Sequence, residues 1–250
     1  MQPQPQPPYD LHPADDDRPV TVDRREGPYG EVVLRRRGGG EPSGDAVFEI
    51  IANGCFLMDT SDGRSERLLI RAALGALPAD RPSPALLIGG LGVGFSLVEA
   101  VAEPRWGRIA VVEREAAVID WHREGPLAAV TAGALADPRA EIVHADLVAW
   151  LRTGPQTPRA PQTYDALCLD IDNGPDWTVT EDNDGLYSPT GLAACAERLA
   201  PGGVLAVWSA QPSPAFEESL RNAGFTQVRT EEVTVARGVP DVVHLAVRGA

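Results

Sequence analysis

The chain has 250 residues, 43% of them hydrophobic and 23% charged, enough for one full domain plus a smaller piece whose core needs no disulfide or structural metal. Its 36 acidic residues against 22 basic ones leave a net charge of −14, which repels phosphate backbones and argues against a nucleic-acid partner. All 22 basic residues are arginine, which excludes lysine chemistry such as Schiff bases and the P-loop ammonium.

Residues 1–20 are dense in proline and glutamine and read as a disordered tail. They carry neither the charged nor the apolar segment of a secretory signal. No run of ~18 apolar residues follows anywhere, so no membrane partner is expected. Cys55, Cys168 and Cys195 are too few and too scattered for a disulfide framework. A cytoplasmic protein is the resulting expectation.

Residues 21–80 read as a short β region plus a helix. Glu31–Arg37 is strand-like, and Ala46, Phe48 and Ile50 alternate before a second apolar run at Cys55–Met58. Asn53-Gly54 between those runs signals a tight hairpin. Ser65–Leu77 has apolar residues at helical spacing, and Pro78, Pro82 and Pro84 then mark a boundary.

From 81 to 250, apolar strand-like runs alternate with helical ones. The strands are 85–90, 108–113, 141–146, 164–172 and 202–210; the helices are 95–101, 116–123, 147–152, 189–200 and 214–223. That alternation specifies a doubly wound, Rossmann-like α/β sheet. Two last strands, 226–235 and 241–248, are separated only by a turn and must pair antiparallel.

The chemistry-bearing residues fall at the ends of these strands, where open α/β sheets bind ligands. LLIGGLGVG offers Gly89, Gly90, Gly92 and Gly94 directly after the first core strand, close to a helix N-terminus. It fails the G-x-G-x-x-G dinucleotide pattern, because Phe95 or Leu97 stands where the last glycine is needed. Glu113 ends the next strand, where an acid commonly holds ribose hydroxyls. Asp146 ends the third; it suits an adenine amino group or, equally, an ordinary helix N-cap. Asp170 and Asp172 end the fourth, on one side if the strand alternation continues, as candidate amine anchor or general base. Trp177 follows in the same loop as a candidate crevice wall, and Tyr187 closes that loop. The four histidines lack metal-ligand spacing, so no metal is expected. Cys168 lies inside an apolar strand and reads as core.

In these motifs the sequence resembles the spermidine synthase (polyamine aminopropyltransferase) family, within the class I S-adenosylmethionine-dependent methyltransferase fold. The resemblance covers roughly residues 53–210. LLIGGLGVG stands for the nucleotide loop, VVERE for the ribose-binding strand end, and HADLVAWL for the adenine motif with Asp146 and Leu147. YDALCLDIDNGPD stands for the catalytic strand, and LYSPTGLAACAERLAPGGVLAVW for the elements after it. The resemblance implies S-adenosylmethionine or its decarboxylated form as co-substrate, a small amine-bearing acceptor near Asn173, Trp177 and Tyr187, and a homodimer.

The departures bear on which group moves. The family's loop reads G-G-G-D-G-G, and its Asp, which holds the amine of the decarboxylated donor, is here Gly92. Its catalytic D-x-x-D has Asn173 in the second acidic position, with Asp172 one residue earlier. SERLLI stands where the family has its Tyr-His-Glu substrate motif. Loss of the Asp removes a repulsion and opens backbone N–H groups to a methionine carboxylate, which favours intact S-adenosylmethionine and methyl transfer. Aminopropyl transfer, with Asp172 replacing the missing acid, is the alternative; a non-catalytic nucleoside-binding module is a further one.

Overall fold

The computed structural model describes residues 18–38, 46–154, 161–176, 183, 185–234 and 239–249. Of the tail assigned to 1–20, residues 1–17 lie outside the described residues, as does Trp177, while Val20 already belongs to a strand.

Four strands come first: β1 (Val20–Gly27), β2 (Gly30–Arg37), β3 (Val47–Ala52) and β4 (Cys55–Asp59) form one antiparallel sheet in the order β1-β2-β3-β4. The Asn53-Gly54 hairpin forms as its dipeptide predicts, with both residues at positive φ. β1 is a strand the sequence reading missed. Its side chains are nearly all exposed, so no burial pattern marks it, and its pairing with β2 is what defines it.

Helix α1 (Arg64–Ala76) leads from this sheet to the second. It buries Leu69, Ile70 and Ala73 against the larger sheet, touching the strands Tyr164–Leu169 (β8), Leu199–Ser209 (β9) and Asp241–Arg248 (β11). The larger sheet also contains β5 (Ala85–Gly89), β6 (Arg108–Glu113), β7 (Ala140–His144) and β10 (Phe225–Val233), in the order β10-β11-β9-β8-β5-β6-β7. Strands β5 to β9 run parallel, and β11 inserts antiparallel between β9 and β10. The doubly wound sheet and its antiparallel ending are therefore as read from the sequence.

Covered faces explain the near-continuous apolar strands. One face packs on α1, α2 (Phe95–Ala102) and α3 (Ala116–Arg123). The other packs on α4 (Leu147–Thr153), α5 (Pro189–Arg198) and α6 (Pro214–Asn222). Asp146, Ser188 and Ser213 cap α4, α5 and α6 by accepting a backbone N–H. Chain order reverses between β5 and β8, so the helices after these neighbours lie on opposite faces. A crevice opens at their carboxyl ends. Among the described residues no helix is long and apolar enough to cross a membrane.

Candidate active site

A cavity of about 640 Å³ occupies that crevice, a size typical of small-molecule sites. Hydrogen bonds continue past the strands and tie their ends together: Gly90 N–H donates to Val112 O (2.9 Å), Asp170 N–H to Gly89 O (2.9 Å), and Ala145 N–H to Glu113 O (3.0 Å). The opposite wall comes from the small sheet through Val32, Ile50 and Met58.

At one end stand Gly90, Glu113, Asp146 and Leu147. Gly90 is left-handed (φ +93°), and any Cβ there would overlap the Asp170 carbonyl oxygen, so only glycine lets the two strand ends approach. The Glu113 carboxylate accepts from Leu91 N–H (2.9 Å) and Glu115 N–H (2.7 Å), with further lone pairs to spare for a diol. Burial raises its pKa, and those two N–H groups oppose the rise. Asp146 caps α4 through Ala149 N–H (2.7 Å), as the cap reading expects, and also lines the cavity.

The other end is acidic. Asp62, Glu66, Asp170, Asp172 and Asp241 all line it. Burial and the neighbouring Glu66 carboxylate push Asp170 up to about 8. Burial raises Glu66 and Asp241 as well. The Ser96 hydroxyl lies 3.4 Å from Asp170 Oδ2 and 3.3 Å from the Glu66 carbonyl. Asp172 accepts from the Asn183 side-chain amide at 2.8 Å.

The structure brings together Gly90, Gly92, Glu113, Asp146, Leu147, Asp170, Asp172 and Asn173 in one cavity. Asp170 and Asp172 reach it differently from the expectation. β8 ends at Leu169, and a turn with Asp172 at φ +53° presents the two acids, where strand alternation was expected to. Gly89 and Gly94 do not line the cavity. Gly89 packs against Leu147 and Leu169, and Gly94 starts α2 against His122 and Thr131. Tyr187 does not line it either. The turn that caps α5 draws it into the core, edge-on to Phe216 with ring centroids 5.4 Å apart.

Gly92 opens no carboxylate pocket. The Met58 sulfur fills the space a residue-92 side chain would need, and it accepts the Val93 N–H at 3.1 Å. The sequence-based ground for methyl transfer is lost with that pocket.

No family model matches the chain. A polyamine aminopropyltransferase of Mycobacterium tuberculosis is 32% identical over 207 residues, covering 80% of this chain and 36% of that protein. A Streptomyces coelicolor polyamine aminopropyltransferase is 29% identical over 188 residues, 74% of this chain and 32% of the relative. The chain thus spans about a third of the length of these curated relatives. Putrescine N-methyltransferase 2 of Nicotiana tabacum is 30% identical over 140 residues, 55% of this chain and 35% of the relative. In fold, a spermidine synthase solved with the transition-state analogue AdoDATO superposes with a TM-score of 0.70, at 20% identity over 92% of this chain and 74% of that one. The Thermotoga maritima spermidine synthase gives 0.67, at 19% identity over 92% and 73%. The chain is spermidine synthase-like.

Three cavity-lining residues of this spermidine synthase-like chain escape sequence reasoning. Glu66 stands in SERLLI, within the first turn of α1, where an acid reads as an ordinary helix-start charge; the structure buries it despite that charge. Asp241 opens a strand 69 residues beyond Asp172, and Met58 reads as an ordinary strand residue. Packing alone brings them in.

Proposed function

We propose that this protein transfers an aminopropyl group from decarboxylated S-adenosylmethionine to a small cationic amine. The acidic end of the cavity carries the reading. Five carboxylates line it, against two lining cations: Arg64, engaged by Asp62 at 2.9 Å, and Arg114, which lies 3.4 Å from the Asn183 side-chain oxygen. An ammonium-ended donor tail and a cationic acceptor suit that field; a methionine carboxylate is repelled by it. Met58 over Gly92 supports the same choice, as does the wider coverage by relatives named aminopropyltransferases.

Glu113 would hold the ribose hydroxyls, and Asp146 with Leu147 the adenine, so that the sulfonium tail runs over the glycine loop toward Asp170. The acceptor nitrogen attacks the carbon next to sulfur. A C–N bond forms, the C–S bond breaks, and its electron pair returns to sulfur, which leaves as the neutral thioether methylthioadenosine. The displaced N–H proton passes to Asp170, poised near neutrality by burial and Glu66. The rest of the catalysis is alignment of the two reactants.

Methyl transfer to the same kind of amine is the second reading, favoured by the similarity to putrescine N-methyltransferases. Incubation with putrescine and each donor separately, with chromatography of the nucleoside product, distinguishes them. Methylthioadenosine from the decarboxylated donor is the expected result. S-Adenosylhomocysteine from the intact donor would establish methyl transfer instead. No turnover with any diamine or polyamine would leave the non-catalytic module.

A further inference from the structure

Met58 reaches the site from β4, in the small sheet, whereas the loop it touches follows β5 in the large one. Its thioether accepts the Val93 N–H and stands directly against Gly92. Gly92 is left-handed at φ +50°, and its carbonyl is held from behind by His122 Nε2 at 2.8 Å. The loop is therefore pinned facing the sulfur. Met58 and Gly92 both line the cavity that Glu113 and Asp170 also line.

We propose that Met58 determines donor choice: its side chain occupies the place an α-carboxylate on the donor's tail needs and by its bulk covers the loop N–H that would bind it. This rests on the reading of the glycine loop as the donor site. A thioether is a weak acceptor with an apolar surface, so a carboxylate set against it loses water without gaining a donor. A tail that lacks the carboxylate avoids that loss, and its ammonium finds Asp170 and Glu66 beyond. Discrimination thus lies in a residue brought from another sheet, and the glycine at 92 serves to make room for it.

Calorimetric titration of the full chain with intact and decarboxylated S-adenosylmethionine tests this, using wild type, Met58→Ala and Met58→Leu. Wild type is expected to prefer the decarboxylated donor. Met58→Ala should reduce that preference at least ~10-fold, the scale of a buried side-chain volume in discrimination, whereas Met58→Leu keeps the volume and stays within about threefold. Melting curves in the same buffer confirm folding, and Met58→Val replaces Met58→Ala should the latter not fold. A wild-type preference that survives in the truncated variant overturns the role of Met58 alone. A shift in Met58→Leu as large as in Met58→Ala overturns it too. Wild type that binds neither donor overturns the donor-loop reading and this inference with it.

Discussion

Asp170 combines two effects of the same sign. Its carboxyl lies at the end of a buried strand, so ionisation forfeits hydration, and the Glu66 carboxylate beside it adds repulsion; together they bring it to about 8. A base must be ionised before it can take a proton. In the ligand-free protein Asp170 is protonated below that value, so kcat/KM should rise with pH through the region of 8. Asp170→Asn should lower kcat at least ~100-fold, the usual worth of a positioned base, and flatten that rise. Rates measured from pH 6 to 9 on both proteins check this. A variant of normal rate and normal pH profile would remove Asp170 from proton transfer.

The β5–α2 turn is held by other elements as much as by its own glycines. His122, on α3, is 1% exposed, with Nε2 2.8 Å from the Gly92 carbonyl and Nδ1 3.1 Å from the Thr131 hydroxyl. A carbonyl only accepts, so Nε2 carries the proton, and the neutral ring then accepts from Thr131 at Nδ1. Burial lowers the pKa of His122, which keeps it neutral. Stranding the Gly92 carbonyl costs about 1–3 kcal/mol, so His122→Leu should weaken donor binding by roughly 5- to 150-fold. His122→Gln, whose amide supplies both a donor and an acceptor, should recover most of it. Equal donor affinity in all three proteins, by calorimetry, would deny the turn its brace.

This turn also marks how far the sequence reaches. The order of strands β5 to β11, their helices and the acids at their ends follow from local patterns: continuous apolar runs, glycines after a strand, Glu113 and Asp170 closing others. A pattern of that kind says what lies next to a residue in the chain. It does not say what faces it. Gly92 therefore reads as an opening, because the sulfur that fills it comes from β4. The acidic end reads as the pair Asp170 and Asp172, because Glu66 and Asp241 arrive by the packing of α1 and β11 on the sheet. Tyr187 reads as a site residue from its place in a loop, whereas the α5 cap turns it into the core.

Across the whole molecule, the buried acids leave a pH signature of definite sign. Glu66, Glu113, Asp170 and Asp241 all hold their protons to higher pH in the folded protein than ordinary carboxyls do. The folded state then binds more protons than the unfolded one, and stability falls as pH rises through that window, up to about 8 for Asp170. Buried His122 and His244 have lowered pKa values and act oppositely, but only near and below their ordinary value of 6.5. The buried thiols of Cys168 and Cys195, raised by burial, add the carboxylate sign only at more alkaline pH. Between pH 7 and 8 the acidic end of the cavity should therefore govern the slope. The melting temperature of the ligand-free protein should fall across that interval, and Asp170→Asn should reduce the fall, because the amide carries no charge at either pH. Putrescine should restore stability more at pH 8 than at pH 7, since more of the cluster is ionised to receive it, and less in high salt, where its charges are screened. A melting temperature that stays level from pH 7 to 8, and that the diamine leaves unmoved, would mean that these carboxylates do not act together on a cationic ligand.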